Sequence, residues 1–157
     1  MDPLRKLFTL LLTAVFLVGM IGCRTADRRK AEVMRPPGTL SDQSGEPAFQ
    51  AFLQRLRRAA AKRDIETMAS MMTPDFGYSW EPGGEGPGVF DYWNRNRLWK
   101  ELEAVLGERF VPNGNYMVAP PQVVEDPDYR GYRAGIRLVN GAWRFAYFVP
   151  APPPHLQ

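Results

Sequence analysis

The hydrophobic positions of this chain form one continuous run near its start and several periodic patterns further on. The run covers residues 7–23 (LFTLLLTAVFLVGMIGC), carries no charge and follows the basic pair Arg5-Lys6. It is short for a membrane-spanning helix and has the length of the apolar part of a secretory signal peptide. Residues 24–45 hold few large apolar side chains, so they are predicted to be a tether outside the folded core.

Apolar residues with a period of 3.6 predict helices after the tether. The first helix opens at Pro47, and its apolar face consists of Phe49, Phe52, Leu53, Leu56 and Ala60. Asp64 is expected to cap a short second helix whose inward residues are Ile65, Met68, Ala69 and Met72. A third helical region ends at Gly107, and the polar residues 94–97 are expected to break it into two pieces.

Alternating aromatic residues predict the first strand, because Phe76, Tyr78 and Trp80 fall on one face of an extended chain. The glycine- and proline-rich residues 82–88 that follow are predicted to be a mobile loop. Residues 116–119 predict another strand, and the Pro120-Pro121 pair after them is expected to restrict that strand to a sheet edge.

A hairpin is the strongest local prediction of the chain. Asn140-Gly141 separates two strand-like segments, 132–139 and 142–149, and predicts a two-residue type I′ turn. The resulting register places four pairs on the core face: Leu138–Trp143, Ile136–Phe145, Ala134–Tyr147 and Tyr132–Val149.

The other face of this hairpin carries three arginines. Arg137 is expected directly opposite Arg144. Arg133 is expected two positions along the same face of the strand that carries Arg137, and like charges that face each other across a strand pair repel. Two explanations stay open. An acidic neighbour such as Glu125 or Asp128, or solvent, compensates the charges; alternatively the three arginines form an anion-binding strip for phosphate or carboxylate groups.

The order of these elements resembles the nuclear transport factor 2-like superfamily over about residues 48–149. The motifs that carry the resemblance are Asp64-Ile65-Glu66, Pro74-Asp75-Phe76 and residues 140–145 (NGAWRF). It implies a cone-shaped α+β domain in which N-terminal helices pack on a curved antiparallel sheet closed by the C-terminal hairpin. Tyr78, Trp80 and Trp93 are then expected to line an internal pocket. A small β-barrel with appended helices is the alternative fold.

The end of the apolar run resembles the lipobox of bacterial lipoproteins. Met20-Ile21-Gly22-Cys23 has the aliphatic-x-small-Cys form and contains the only cysteine of the chain. The resemblance implies cleavage between Gly22 and Cys23 and acylation of Cys23, so lipid on this residue would anchor the protein. An ordinary signal peptide or a short membrane anchor is the alternative.

The chain is accordingly predicted to divide into a signal peptide at 1–22, a lipidated tether at 23–46, an α+β domain at 47–150 and a proline-rich tail at 151–157. Residue 24 is Arg rather than Asp, which by the same resemblance favours the outer membrane, facing the periplasm, in a cell that has one.

The charge of the chain is mild. It has 157 residues and a formal net charge of +3, which falls to +2 when residues 1–22 remove two basic residues and one acidic residue. This excludes a dedicated nucleic-acid binder, whose charge is large and clustered. The expected partners are therefore the membrane, an anionic envelope component or a protein. The basic ridge of Arg55, Arg58 and Lys62 is read as solvated surface or as a contact for lipid phosphate.

Catalytic machinery is sparse in this sequence. The one histidine, His155, lies near the end of the chain, and the one cysteine is assigned to lipid, which excludes Ser-His-Asp and Cys-His sites and a zinc cluster. No cofactor or metal is predicted. Asp75, Glu81 and Asp91 are the conceivable acid–base groups. The prediction is a lipid-anchored, non-catalytic binding module, with an isomerase- or dehydratase-type envelope enzyme and a structural envelope lipoprotein as alternatives.

Overall fold

The computed structural model describes residues 42–154. The predicted signal peptide, Cys23, most of the tether and His155 lie outside these residues. Among the helices that are described, none combines the length and the apolar character needed to cross a bilayer.

Two helices open the described part, at the predicted positions. Helix α1 spans Pro47–Lys62 and begins with proline, which needs no backbone partner in the first turn. Helix α2 spans Ile65–Met71, and the carboxylate of Asp64 caps it by accepting a hydrogen bond from the Thr67 amide at 3.0 Å. Both predicted helices are confirmed.

The inward face of α2 differs from the prediction. Ile65 is 45% exposed, and Ala69 is exposed as well, whereas Met68 and Met71 are buried. Met72 is half-buried and already belongs to the following strand. Ile65 directly follows the cap and lies at the outer end of the helix. Because the helix has only two turns, the residues that reach the core are those on one side of its second turn, Met68 and Met71.

The third helical region is broken as predicted. Helix α3 spans Val89–Asn96 and helix α4 spans Trp99–Gly107. Arg97 between them has a left-handed backbone with φ of 58°, which ends α3. Trp93, Trp99, Leu102 and Leu106 are buried.

Five strands form one sheet in the order β1-β5-β4-β3-β2. The strands are β1 (Met72–Gly77), β2 (Val111–Asn113), β3 (Tyr116–Ala119), β4 (Arg133–Val139) and β5 (Ala142–Val149), and a short helix α5 (Gln122–Glu125) follows β3. The fold class, α+β with helices packed on a curved sheet, is confirmed. The sheet is open, with β1 and β2 at its edges, so the alternative of a β-barrel is wrong.

Three details of the predicted sheet need correction. The sheet is mixed rather than antiparallel, because β1 pairs with β5 in parallel. The C-terminal hairpin lies in the middle of the sheet. Strand β3 is an interior strand between β2 and β4, not the predicted edge strand. It ends at Ala119, so Pro120 lies outside its ladder and removes no hydrogen bond from it.

The first strand also lies earlier than the aromatic alternation predicts. It begins at Met72 and ends at Gly77, so Phe76 is within it but Tyr78 and Trp80 follow it. Its parallel pairing with β5 runs from Met72 to Gly77, and this pairing decides its bounds.

The hairpin turn and half of its register are confirmed. Asn140 and Gly141 have φ angles of 51° and 77°, as a type I′ turn requires, and the pairs Leu138–Trp143 and Ile136–Phe145 are present. Leu138, however, is 40% exposed, so its predicted place in the core is wrong. Beyond these two pairs the predicted register is wrong, because Gly135 pairs with Tyr147, Ala134 with Phe148 and Arg133 with Val149.

The cause is a β-bulge at Ala146. Ile136 pairs with Phe145 and Gly135 with Tyr147, so Ala146 is an extra residue in β5. One inserted residue moves each side chain beyond it to the opposite face of the strand. Phe148 consequently enters the core, and Tyr147 leaves it.

The core lies between the helices and one face of the sheet, which we call the inner face. Trp93 is fully buried there, with its ring centroid 5.3–5.9 Å from those of Phe76, Phe90, Trp99 and Phe148. Trp143 of β5 packs against Phe49 of α1, with their ring centroids 4.9 Å apart, and this contact joins the helical layer to the sheet. Aromatic side chains thus occupy the space in which the predicted internal pocket was expected. The opposite face, which we call the outer face, carries Arg133, Arg137, Arg144 and Tyr147.

Candidate ligand-binding cleft

A cleft of about 700 Å³ opens on the outer face of the sheet. Its floor is formed by β1, β4 and β5, and its walls by residues 79–85, by Asn113 and Tyr116, and by Val123 and Pro152. Of the residues predicted to line a pocket, Trp80 lies in its wall. Tyr78 and Trp93 are buried in the core instead, on the inner side of the sheet.

The floor of the cleft depends on a close contact between Tyr147 and Gly135. A Cβ atom placed on Gly135 would lie 2.1 Å from Cε1 of Tyr147, so the ring occupies the space that any other residue at position 135 would fill. The ring of Tyr116 packs beside it at 5.4 Å. Burial raises the pKa of the Tyr147 phenol, which is therefore neutral at physiological pH. The floor is aromatic and uncharged at this point.

Arg137 is held by Asp75 across the outer face. Its Nη2 donates to both oxygens of the Asp75 carboxylate, at 3.1 and 3.0 Å, and its Nη1 donates to the Tyr116 hydroxyl at 3.4 Å. The Thr73 hydroxyl and, to a smaller extent, the Arg137 guanidinium lower the pKa of the Asp75 carboxyl. Asp75 thus compensates the charge of Arg137.

The acidic neighbours expected for the arginines have other partners. Glu125 pairs with Arg109 at 3.1 Å, and Asp128 lies 3.8 Å from Arg130. Both belong to the segments around α5 and the loop after it, and both side chains are more than half exposed. The expectation that one of them compensates the hairpin arginines is wrong.

Arg144 lies opposite Arg137 in the ladder, as predicted, yet it does not line the cleft. Its Nη1 donates to the Ser70 carbonyl at 2.8 Å, near the C-terminal end of α2. A cation is favourable there because the last carbonyls of a helix carry partial negative charge. Arg144 therefore serves the packing of α2 against β5.

Arg133 is the arginine of the cleft that has no carboxylate partner among residues 42–154. Its Nη2 donates to the Tyr129 carbonyl at 3.2 Å, and the guanidinium lies 5.7 Å from the centre of the Tyr129 ring. Its Nε is buried and finds no acceptor within the described part of the chain. Burial is the main cause of its lowered pKa, and the charged or polar groups that act on it next are Tyr147, Tyr129 and Arg130.

A smaller cleft of about 250 Å³ adjoins the larger one. The two share Val123, Arg133 and Pro152, and the smaller cleft also includes Asp126 and Arg130. Arg133 thus lies where the two clefts meet, with its polar end accessible from either side.

The wall formed by residues 79–85 is hydrogen-bonded to the end of β1. The amides of Tyr78 and Ser79 donate to the Gly84 carbonyl at 2.8 and 3.0 Å, and the Tyr78 hydroxyl donates to the Gly83 carbonyl at 2.8 Å. The indole of Trp80 donates to the Pro150 carbonyl at 3.0 Å. These contacts hold the segment predicted as a mobile loop against the domain.

The three conceivable acid–base carboxylates lie in different places. Asp75 and Glu81 line the cleft, together with Glu85, whereas Asp91 lies on the exposed side of α3 and outside it. Within residues 42–154, His, Cys, Asp and Glu side chains do not come together in a group of three that could hold a metal ion.

Several features of the cleft were missed from the sequence. The sequence indicates Asp75 only as a conceivable acid–base group and not as the partner of Arg137, and it places Tyr147 on the core face. Gly135 was the available signal, because a glycine inside a strand often marks a bulge or a close approach of another group.

Comparison with known proteins gives little further information. No family model matches the chain, and no curated protein matches it. A solved structure described as an NTF2-like protein of unknown function from Pseudomonas putida KT2440 is 15% identical, covering 71% of this chain and 88% of that chain, with a TM-score of 0.37. A similarity of this size assigns neither family nor function.

Proposed function

We propose that this protein is a lipid-anchored component of a bacterial cell envelope whose domain is a non-catalytic binding module. The lipobox-like end of the apolar run supports the anchor, and the outer-face cleft supports the binding role. The observation that carries the proposal is Arg133, a half-buried guanidinium that lines a cleft of about 700 Å³ and has no carboxylate partner among the described residues.

The ligand class follows from the charges around the cleft. Arg137 is already paired with Asp75, which leaves Arg133 as the cation that an incoming anion can reach. Glu81 and Glu85 line the same cleft and repel additional negative charge. A ligand with one negative group suits this arrangement better than a dianionic phosphate, and we assign a carboxylate to Arg133 because guanidinium groups bind carboxylates in a bidentate manner.

The body of the ligand is expected to be apolar or aromatic. Trp80, Pro82, Tyr116 and Tyr147 contribute flat or apolar surface to the cleft. Such walls around a small number of polar groups are typical of small-molecule sites.

The placement of the carboxylates favours binding over catalysis. A general base that works near neutral pH needs a raised carboxyl pKa, whereas the pKa of Asp75 is lowered and both of its oxygens accept hydrogen bonds from Arg137. Asp75 is therefore assigned a structural role, as the partner of Arg137.

Titration with benzoate tests this proposal, because benzoate combines a carboxylate with an aromatic ring. The full chain in neutral detergent, labelled with ¹⁵N, is titrated while the Nε–Hε signals of its arginines are followed by NMR. We expect benzoate to shift the Arg133 signal saturably and benzamide, which is uncharged, to leave it in place.

Two variants make the result specific. Arg133→Met should abolish saturable binding of benzoate, observed on neighbouring backbone amides. Arg109→Met, which removes an exposed arginine outside the cleft, should leave it intact. Equal shifts with benzoate and benzamide, or unchanged binding by Arg133→Met, would falsify the assignment of Arg133 as the anion-binding group.

A further inference from the structure

Helix α1 presents a surface on the side of the domain opposite the cleft. Its buried residues are Phe49, Leu53, Leu56, Ala59 and Ala60, which pack toward the inner face of the sheet. The stripe directly opposite them is exposed and consists of Ala48, Ala51, Arg55, Arg58 and Lys62. We call this stripe the α1 basic face.

The α1 basic face is uniform in charge. Among the described helices, α1 is the one that contains no acidic residue, and Arg55, Arg58 and Lys62 form no ion pair with any residue from 42 to 154. Arg57, on the flank of the helix, is in contrast bound to carbonyls at the end of α4. The exposed cations are thus left without internal compensation.

The shape of the α1 basic face suits a flat partner. The other residues of the stripe are Ala48 and Ala51, and the exposed Ala61 lies beside Arg58 and Lys62, so these uncharged neighbours have short side chains that do not project beyond the basic groups. Long basic side chains can place their charges on an anionic surface while their methylene groups stay close to the helix.

Helix α1 follows the proposed anchor in the sequence. Pro47 comes 24 residues after Cys23, so the length of chain between them limits how far α1 can lie from the membrane. The intervening segment itself carries Arg24, Arg28, Arg29, Lys30 and Arg35, which are attracted to anionic head groups as well. The first helix that the structure describes after the proposed anchor is the acid-free α1.

We infer that the α1 basic face docks on the surface of an anionic bilayer. The occupant is a layer of lipid head groups that carry phosphate, and Arg55, Arg58 and Lys62 are the groups that contact it. This inference rests on the lipid anchor of the proposed function. Because α1 and the cleft lie on opposite sides of the sheet, docking turns the cleft away from the membrane and toward the aqueous compartment.

A labelled cysteine tests the docking. Cys23 is the only natural cysteine, and acylation would block it, so Ala61→Cys introduces one free thiol beside Arg58 and Lys62 on α1. The full chain, purified from the envelope, carries a fluorophore there and is reconstituted in vesicles. The vesicles consist of phosphatidylcholine alone or of phosphatidylcholine with about one-third phosphatidylglycerol, and quenching by neutral acrylamide is measured.

We expect quenching to be about threefold weaker in the anionic vesicles than in the neutral ones. The difference should disappear in about 1 M salt, where the screening length falls to about 3 Å. It should also disappear when Arg55, Arg58 and Lys62 are all changed to Gln. A label on Asp128→Cys, beside the smaller cleft on the other side of the domain, should be quenched equally in both vesicles.

Removal of the same charge elsewhere is the matched control. Arg95, Arg97 and Lys100 are exposed basic residues around α3 and α4, and changing all three to Gln should leave the protection of the α1 label intact. Equal loss of protection in both triple variants would mean that total charge, not α1, brings the domain to the surface, and would overturn the inference.

Flotation of the same samples separates the lipid-anchor hypothesis from the hypothesis that α1 docks on the membrane. If the protein floats with both vesicles but the α1 label is quenched equally in each, docking is wrong and the anchor stands. If the protein floats with neither, the anchor fails and the anchored orientation of α1 fails with it. A soluble acidic protein or nucleic acid that protects the label when anionic vesicles do not would assign the face to that partner instead.

Discussion

At the scale of single residues, Gly135 and Tyr147 decide the character of the cleft floor. The ring of Tyr147 occupies the position of a Cβ atom on Gly135, and Ala146 beside it is the extra residue of the bulge. Glycine is required at position 135 because of this close approach rather than because of its backbone angles. Tyr147 therefore does not pack in the core, and its ring instead forms an aromatic surface that a ligand in the cleft can reach.

The contact predicts that Gly135→Ala is destabilising. The added methyl group must displace the Tyr147 ring, and overpacking of this kind costs about 1–3 kcal/mol. Urea unfolding of the full chain in neutral detergent measures the loss. Gly107→Ala is the matched control, since nothing lies within 4 Å of its added Cβ, and it should be neutral or slightly stabilising.

A double variant shows whether the two residues act through this overlap. In Gly135→Ala/Tyr147→Ala the overlap is absent, so the combined loss should be smaller than the sum of the single losses by about 1 kcal/mol or more. Strictly additive losses would mean that Tyr147 does not lie over Gly135.

A second residue-scale prediction concerns pH and the Asp75–Arg137 pair. The pKa of Asp75 is lowered from its ordinary value of 3.8, so its charge stabilises the folded state above that value, and the contribution is lost as the pH falls through the lowered pKa. The Asp75 side chain is 62% exposed, and a pair of this kind contributes less than about 1 kcal/mol.

The test compares the free energies of urea unfolding of the parent and of Asp75→Asn at about pH 7 and at about pH 2.5. The parent should be more stable than the variant near neutrality, and the difference should shrink as the pH falls below the ordinary value of 3.8. Asp128→Asn is the control, because it removes a longer and more exposed ion pair. Its free energy of unfolding should equal that of the parent at both pH values. A difference for Asp75→Asn that persists undiminished in acid would assign the effect to packing rather than charge.

At the scale of helices and strands, Arg57 connects α1 to the end of α4. Its Nε donates to the Leu106 carbonyl at 2.6 Å, and its Nη2 donates to the carbonyls of Gly107 and Glu108 at 3.3 and 3.1 Å. The last carbonyls of a helix lack partners within the helix, and a cation also suits their partial negative charge. One side chain of α1 therefore completes the C-terminal end of α4.

Arg57→Ala is expected to lower the free energy of unfolding by about 1.5–3 kcal/mol, the range for hydrogen bonds that involve a charged group. Arg58→Ala removes the neighbouring, exposed arginine and should change it by no more than about 0.5 kcal/mol. Both are compared by urea unfolding in neutral detergent. Similar values for the two variants would show that the carbonyls of α4 are satisfied by solvent without Arg57.

At the scale of the whole molecule, the proposed anchor, the α1 basic face and the cleft together give an orientation. In the proposed arrangement the anchor precedes α1, the basic side of α1 would meet the head groups, and the sheet would hold its cleft on the far side. Ligand capture is then not obstructed by the bilayer. The orientation, though not the cleft itself, depends on processing at Cys23.

That processing predicts a specific mass. The mature protein should lack residues 1–22 and carry fatty acyl groups on Cys23, as measured by intact mass spectrometry of the protein from its native envelope. Cys23→Ser should remain uncleaved and unacylated. An unmodified Cys23 in the parent protein would remove the anchor and leave the apolar run as an ordinary export signal.

The features that the sequence determined are those that depend on neighbouring residues. Pro47 at the start of α1, the Asp64 cap, the break at Arg97 and the Asn140-Gly141 turn each require only a few residues and their own backbone angles. The α+β class was implied by the family resemblance that the order of these elements carries, and the periodic apolar residues indicated which helix faces are buried. In the cleft, Arg133 and Arg137 were identified from alternation along the hairpin strand. Trp80 was expected in an internal pocket because of the family resemblance, and it lies in the wall of the outer-face cleft instead.

The tertiary structure alone decided which of these side chains meet. Asp75 and Arg137 are 62 residues apart, and Arg57 and Leu106 are 49 apart, so no local pattern pairs them. The bulge at Ala146 inverted the faces of Tyr147 and Phe148, because packing against the helices selected Phe148 for the core. The cleft lies on the outer face for the same reason: Trp93 and its aromatic neighbours fill the inner side, and the arginines and Tyr147 are left on the other.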